Sequence, residues 1–174
     1  MKVILFGLTG LGNIVLEELI KNDVEVISVS TRKEYNPHPY FDVVSINELC
    51  SKYLIKCEYD KTFFKESCDI IISATYHKKI DIKKSVFNLA VNMHPSFLPH
   101  LKGKNPIDEA LKLKEQNLGL STHYLTDSFD EGEIIFQDRY FFTEKSTKKT
   151  ISKDLVVLYK KHVNEILKFY ETNK

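Results

Sequence analysis

A strand–turn–helix–strand unit at the start of the chain constrains the fold more than any other segment. Val3 to Phe6 is a continuous apolar run typical of a buried strand, and a turn with three glycines follows over residues 7–12. Apolar residues then recur at helical spacing over residues 14–20, and Val24 to Val29 indicates a second strand. Because strands joined by a crossover helix run parallel, this unit predicts an α/β fold with a parallel sheet.

Later apolar segments extend this sheet, and a long amphipathic segment closes the chain. Four more strands are predicted over residues 69–74, 89–93, 120–125 and 134–142. A short helix is predicted after Ser45, which forms a capping-box pattern with Glu48. Further helices are predicted over residues 106–114 and 150–170.

No linker or internal repeat divides the chain. We therefore predict a single domain over residues 1–174, in the α/β class. Its expected architecture is a mainly parallel twisted sheet with helices on both faces, antiparallel strands at one side and a C-terminal helix. Residues 31–43 are polar, contain two prolines and are predicted to form a loop.

The composition limits the classes of partner. The chain has 25 basic and 24 acidic residues, and a formal charge of +1 argues against a large nucleic-acid surface. No apolar segment is long enough for a signal peptide or a membrane span. Cys50, Cys57 and Cys68 have no disulfide or metal spacing, so we expect reduced thiols, a cytoplasmic protein and no metal site.

Asn92 and His94 stand at the end of a predicted strand. Apolar residues precede them, and Pro95 ends the strand because it has no N–H for the sheet. Side chains alternate along a strand, so Asn92 and His94 share a face. An amide can donate a hydrogen bond to a developing oxyanion, and an imidazole can transfer a proton near neutral pH. The pair therefore predicts an active site at this strand end.

Two motifs resemble the signatures of the formyltetrahydrofolate-dependent formyltransferases. Residues 92–99, Asn-Met-His-Pro-Ser-Phe-Leu-Pro, resemble the Asn-x-His-Pro-Ser-x-Leu-Pro signature of that family. Residues 129–137, which begin Phe-Asp-Glu-Gly and end in Gln, resemble its second segment and follow at the expected spacing. Residues 76–80 resemble the segment that borders the folate pocket. The similarity covers about residues 2–143, and it implies the Rossmann-like fold of that family.

The resemblance implies three catalytic residues, Asn92, His94 and Asp130. It implies N10-formyltetrahydrofolate as the formyl donor and co-substrate, a primary amine as the acceptor, and no metal. The residues implied to contact the folate are Tyr76, His77, Lys78, Lys79 and Ile80, together with Thr126, Asp127 and Asp130. Asp130 is expected to orient His94 or a relay water, whereas His123, inside a predicted strand, is expected to be structural.

The acceptor site is predicted at two places. Thr9 and Gly10 lie in the turn before the first helix, where backbone N–H groups can hold an anion. The glycine spacing of this turn does not match Gly-x-Gly-x-x-Gly, so no dinucleotide cofactor is predicted. Lys102 and Asn105, which follow the first signature, are expected to contact the acceptor as well.

The identity of the acceptor stays open at this point. A nucleotide-linked amino sugar is favoured, because residues 76–80 and the Gly-x-x-Pro pattern at 103–106 resemble sugar N-formyltransferases. The same resemblance implies a homodimer. The alternatives are glycinamide ribonucleotide, methionyl-tRNA, a hydrolase that uses water, and a catalytically silent folate-binding domain. Members that act on glycinamide ribonucleotide have a Gly-Ser-Asn loop where this chain has Leu11-Gly12-Asn13.

Overall fold

The computed structural model describes residues 1–8, 10–33 and 43–174. Seven strands form one sheet: β1 Lys2–Gly7, β2 Glu25–Thr31, β3 Lys56–Tyr59, β4 Ile70–Ala74, β5 Leu89–His94, β6 Leu118–Tyr124 and β7 Ile134–Tyr140. Four α-helices are described: α1 Leu11–Lys21, α2 Ile46–Lys52, α3 Pro106–Leu113 and α4 Lys148–Thr172. A single 3-10 turn lies at Ile82–Lys84.

The strand order is β3-β2-β1-β4-β5-β6-β7. Strands β3, β2, β1, β4 and β5 pair in parallel, whereas β5 pairs antiparallel with β6 and β6 with β7. The predicted mainly parallel sheet with antiparallel strands at one side is thus confirmed. In such open sheets ligands bind beyond the carboxyl ends of the parallel strands, which is where β5 delivers Asn92 and His94.

The two faces of the sheet are covered unequally. Val3, Leu5, Ile72 and Val91 pack with the apolar residues of all four α-helices in the larger core. Ile4, Phe6 and Ile71 on the other face pack with residues of the loops over 60–69 and 76–88. Among the described residues, the helical cover of this second face is only the 3-10 turn, because the β3–β4 and β4–β5 connections are irregular. Asn92 and His94 alternate with the larger core's residues, so they lie on the loop-covered face.

The boundaries of most predicted elements agree with the structure within a few residues. The helix predicted after Ser45 is α2, and its capping box is formed because the Ser45 hydroxyl accepts from Glu48 N at 3.1 Å. The last helix begins earlier than predicted because Thr147 caps it, so Lys148 and Lys149 are helical. Strand β3 was not predicted, because it is short and partly exposed and carries charged side chains. Most of the predicted 31–43 loop lies outside the described residues.

The glycines after β1 serve packing. A Cβ atom at Gly12 would lie 3.1 Å from the Cα of Gly7, so glycine lets α1 start directly against the end of β1. Gly10 has a φ of 114°, a conformation that favours glycine. No described helix has the length and apolar content needed to cross a membrane.

Candidate active site

Strand β5 places Asn92 and His94 side by side at its carboxyl end. His94 is buried, with 5% of its surface exposed, and Asn92 is half-buried. The antiparallel neighbour β6 places His123 directly opposite Asn92 and Ser121 opposite His94. The pairing of β5 with β6 therefore brings a second imidazole, that of His123, next to the predicted catalytic pair.

Asp130 reaches the same place from the loop that joins β6 and β7. It is 8% exposed and has a φ of 53°, a left-handed conformation that Asp adopts more readily than most residues. The Gly103 N–H donates to Asp130 Oδ2 at 2.8 Å. Two residues further on, a Cβ at Gly132 would lie 1.8 Å from the carbonyl oxygen of Tyr124, so this position requires glycine. The Asp-x-Gly pattern thus sets the path of the loop behind Asp130.

The predicted trio converges on one carboxylate oxygen. Asn92 Nδ2 donates to Asp130 Oδ1 at 3.2 Å, and His94 Nδ1 lies 3.5 Å from the same oxygen. His123 Nε2 also lies 3.5 Å from it. A buried carboxylate with two imidazoles and an amide around it can stabilise a proton on either ring.

The hydrogen bonds of the ring nitrogens assign the tautomers of both imidazoles. His94 Nε2 lies 2.8 Å from the Leu101 carbonyl oxygen, so Nε2–H donates and Nδ1 keeps its lone pair toward Asp130. His123 Nδ1 lies 2.9 Å from the Tyr124 carbonyl oxygen, so Nδ1–H donates there. His123 Nε2 then accepts from Asn92 Nδ2 at 3.1 Å. His94 thereby keeps an unprotonated basic nitrogen, Nδ1, which faces Asp130 inside the site.

Burial and charge set the protonation states. Burial lowers the pKa of His94 below its ordinary value, and the nearby charge of Asp130 only partly offsets this effect. Burial alone would raise the pKa of Asp130, but its contact with His123, the charge at His94 and the Gly103 N–H hold that pKa below the usual value. At neutral pH the site therefore has an ionised Asp130 beside a neutral His94.

Both N–H bonds of the Asn92 amide are already used in this arrangement. One is directed to His123 and the other to Asp130, while no donor among the described residues reaches Asn92 Oδ1. The prediction that Asn92 donates to an oxyanion therefore requires that one of these two bonds be exchanged.

The residues predicted to contact the folate have partners of their own. The Tyr76 hydroxyl bonds to Ser30 Oγ at 2.8 Å and to the Lys61 carbonyl oxygen at 2.7 Å. His77 Nε2 lies 2.7 Å from Asp60 Oδ1, and Lys78 Nζ lies 3.5 Å from the same oxygen.

Ile80 and Lys79 differ in exposure, and an ion pair links the second predicted folate segment to the 3-10 turn that follows the first. Ile80 is 2% exposed and belongs to the smaller core, which leaves it little surface for a ligand, whereas Lys79 is exposed. An ion pair between Lys83 and Asp127 joins the segment around the 3-10 turn to the β6–β7 loop. Thr126 Oγ1 donates within that loop, to the Ser128 carbonyl oxygen. The Lys83–Asp127 ion pair therefore brings the β6–β7 loop next to the turn that follows residues 76–80.

The predicted acceptor residues are less clearly grouped. Thr9 lies outside the described residues. The Gly10 N–H donates to Asn13 Oδ1 at 2.9 Å, so this donor at the start of α1 is already occupied. Lys102 forms an ion pair with Glu131 at 2.7 Å, which places it beside the Asp130 loop. Asn105 precedes α3 with a φ of 58° and makes no side-chain cap hydrogen bond.

One further cluster of ionisable groups lies on the opposite face. Ligand atoms of Asp138, His162 and Glu165 lie within 4.8 Å of one another. The Lys161 ammonium is 2.6 Å from Asp138 Oδ2 and already pairs with that carboxylate.

The central position of His123 is the feature that sequence reasoning missed. A structural role was expected for it, and the structure adds that its buried ring, 2% exposed, bonds to the Asn92 amide beside the predicted catalytic pair. The signal was present in the alternation of Ser121 and His123 along β6, but β5 and β6 are joined through α3, so no local pattern gives the register that sets His123 against Asn92.

An open, mostly parallel α/β sheet here carries an amide, two imidazoles and a carboxylate at one strand end, and these groups can move a proton. Comparison with known proteins agrees: the sequence model of the family described as Formyl transferase matches residues 1–166. The chain belongs to the formyl transferase family.

Curated relatives and solved structures support this assignment. The chain is 30% identical to the "Bifunctional polymyxin resistance protein ArnA" of Wigglesworthia glossinidia brevipalpis, over 100% of this chain and 28% of that protein. It is 26% identical to the "Methionyl-tRNA formyltransferase" of Endomicrobium trichonymphae, over 100% of this chain and 59% of that protein. The chain thus spans less than two thirds of the length of each of these relatives.

A solved N-formyltransferase from Helicobacter canadensis, in complex with folinic acid and dTDP-3-aminofucose, shares the fold. It superposes with a TM-score of 0.81 at 19% identity, over 99% of this chain and 65% of that one.

Proposed function

We propose that this chain transfers the formyl group of N10-formyltetrahydrofolate to a primary amine. The observation that carries the proposal is the convergence of Asn92 and His94 on one buried oxygen of Asp130, on the same loop-covered face of the sheet as Tyr76 and Ile80. The family to which the chain belongs gives the reaction class, and the geometry supplies groups that this reaction needs.

His94 is the proposed base. When the amine nitrogen bonds to the formyl carbon, it must lose a proton, and the departing N10 must gain one. His94 Nδ1 keeps its lone pair because Nε2–H is held by the Leu101 carbonyl. Burial lowers the pKa of His94, so the ring is neutral and ready to accept at neutral pH. The same nitrogen then donates the proton toward N10.

We propose that Asp130 and Asn92 change their hydrogen bonds when His94 accepts that proton. Once His94 Nδ1 has a proton, it can donate to Asp130 Oδ1, which lies 3.5 Å away. Asp130 then no longer needs the Asn92 N–H as a donor. We propose that this N–H turns to the formyl oxygen, where negative charge develops, while His123 keeps the other half of the amide in place.

The residues fit a bound folate in part. The N10-formyl group supplies the electrophilic carbon when it is bound. The ion pair of Lys83 with Asp127 holds the β6–β7 loop next to the turn that follows residues 76–80, and hydrogen bonds position Tyr76, His77 and Lys78 within those residues. Ile80 shapes the wall from within the core rather than by direct contact.

For the acceptor we propose a nucleotide-linked amino sugar. The Tyr-His-x-x-Ile and Gly-x-x-Pro patterns support it. The fold shared with an N-formyltransferase crystallised with dTDP-3-aminofucose is consistent with it.

Methionyl-tRNA is the second candidate, because a methionyl-tRNA formyltransferase matches over the whole of this chain. The formal charge of +1 favours the sugar over the tRNA.

The test is a panel assay with the purified chain and N10-formyltetrahydrofolate. The acceptors are nucleotide-linked amino sugars, glycinamide ribonucleotide and charged initiator tRNA, with water alone as the control for hydrolysis. Formylation of a sugar with no tRNA product supports the proposal. Transfer only to tRNA would replace the sugar by the second candidate. Folate binding without transfer or formate release would identify a silent binding domain.

A further inference from the structure

The loop over residues 95–103 holds both the proposed base and its carboxylate partner through backbone groups alone. The Leu101 carbonyl oxygen accepts from His94 Nε2 at 2.8 Å, and the Gly103 N–H donates to Asp130 Oδ2 at 2.8 Å. Because backbone groups make both contacts, the contacts depend on where the loop lies and not on its side chains. The position of this loop therefore determines the tautomer of His94 and the orientation of Asp130.

Two side chains from the antiparallel strands hold this loop against the sheet. The Ser121 hydroxyl donates to the Ser96 carbonyl oxygen at 2.6 Å and accepts from the Leu98 N–H at 3.1 Å. The Gln137 amide donates to the Leu98 carbonyl oxygen at 2.9 Å and to Ser121 Oγ at 2.8 Å. Ser121 and Gln137 lie directly opposite each other in the β6–β7 pair.

This cluster is closed, since each donor has an acceptor. Both N–H bonds of the Gln137 amide are used, and the Ser121 hydroxyl, which is fully buried, makes one donated and two accepted bonds. Within the loop, Ser96 Oγ donates to the His100 carbonyl oxygen at 2.8 Å, one residue before Leu101. Hydrogen bonds, together with the backbone of the loop, therefore connect Gln137 on β7 with His100, the residue before the carbonyl group that His94 uses.

We propose that Gln137 is a positioning residue for formyl transfer, which acts through the 95–103 loop to fix the tautomer of His94 and the orientation of Asp130. The inference rests on the roles proposed above for His94 and Asp130. Gln137 itself need not touch the substrate. Without its two donors the loop gains freedom, the Leu101 carbonyl leaves the ring, and His94 Nδ1 is no longer held as the free nitrogen. Water then reaches His94, which weakens the burial that lowers its pKa.

The test compares Gln137→Met with Gln116→Met. Methionine has nearly the shape of glutamine but no amide, so both variants lose two hydrogen bonds to neighbouring groups. Gln116 is a matched control, because its amide donates to the Phe142 carbonyl oxygen at 2.9 Å and accepts from the Phe142 N–H at 3.1 Å. Neither group belongs to the 95–103 loop.

Two readouts separate positioning from ordinary stability. The first is the kcat and KM of formyl transfer across pH. We expect Gln137→Met to lower kcat about 10- to 100-fold, because small displacements of reacting groups cost up to about that factor, with KM changed less than about threefold. The acid limb of the pH–kcat profile of this variant should move to higher pH, because the pKa of His94 rises toward its ordinary value. The second is the imidazole nitrogen NMR spectrum of the substrate-free chain, in which His94 should change from the Nε2–H tautomer to a mixture.

The outcomes can be told apart from those that test the proposed function. Wild-type kcat and an unchanged His94 spectrum in folded Gln137→Met would overturn the inference, as would an equal loss of kcat in Gln116→Met. A changed His94 spectrum together with full turnover in His94→Ala would support the positioning and refute the proposed base. If Gln137→Met does not fold, Ser121→Ala removes the central hydroxyl and must then give the same two changes, or the inference fails.

Discussion

Replacing Asp130 by asparagine tests the electrostatic part of the account. The substitution keeps the shape but removes the charge 3.5 Å from His94 Nδ1. Two unit charges about 4 Å apart attract by about 4 kcal/mol at the effective dielectric typical of proteins. Because an amide dipole retains part of this attraction, we expect the protonated state of His94 to lose about 3 kcal/mol of electrostatic stabilisation. That loss corresponds to a decrease in kcat of about a hundredfold.

The same variant has two further signatures. Asp130 raises the pKa of His94, so without its charge that pKa falls further and the acid limb of activity moves to lower pH. Either the Gly103 N–H or the Asn92 N–H must face the new amide N–H group, because each now bonds to a different oxygen of Asp130. One lost buried hydrogen bond costs about 1–3 kcal/mol of stability, so the variant should fold and bind folate.

The assay is steady-state formyl transfer between about pH 5 and 9, beside a thermal melt and folate binding by fluorescence. Asp154→Asn is a matched control, because its carboxylate bonds to the Tyr140 hydroxyl and lies outside the site. A kcat for Asp130→Asn within about threefold of the wild type would refute the reasoning. So would an acid limb that moves to higher pH. Loss of folding would show that Asp130 is structural instead.

Three more predictions follow from the same contacts. Asn92→Ala and His94→Ala should each lower formyl transfer at least about a hundredfold with the fold retained, as circular dichroism and rate assays would show; near-normal turnover rejects either role. His123→Leu should lower kcat about tenfold or more and raise KM little, since the Asn92 amide loses the acceptor that orients it; a large rise in KM alone would contradict this. Burial lowers the pKa of both His94 and His162, so the unfolded chain binds more protons below about pH 6.5 and the melting temperature should fall between pH 7 and pH 5; an unchanged melting temperature would contradict it.

Much of the fold could be predicted from the sequence, because apolar periodicity reports local structure directly. The β1–α1–β2 unit, the long last helix and the capping box at Ser45 all follow from patterns within a few residues. The unequal cover of the two faces could not be predicted, because it depends on which strand each connection returns to. Strand β3 is held by its pairing with β2 rather than by its own residues.

The candidate site, like the fold, could be predicted from the sequence only in part. Alternation places Asn92 and His94 on one face, and the family's spacing brings in Asp130, so the trio was predicted. His123 and Gln137 enter through antiparallel register, which no local pattern reports. The tautomer of His94 depends on the Leu101 carbonyl, whose residue has a left-handed φ of 54°. That conformation follows from the closed hydrogen-bonded loop and cannot be predicted from a leucine at this position.

We propose above that Asn92 and His94 act in the same formyl-transfer step, and a double-mutant cycle tests this cooperation most directly. Single-turnover formyl transfer to the acceptor found in the panel would be measured for the wild type, Asn92→Ala, His94→Ala and the double variant. Groups that act as one unit are strongly non-additive, so we expect the double variant to be within about tenfold of the slower single variant. A double variant slowed by the full product of the two single effects would show independent roles and contradict the account.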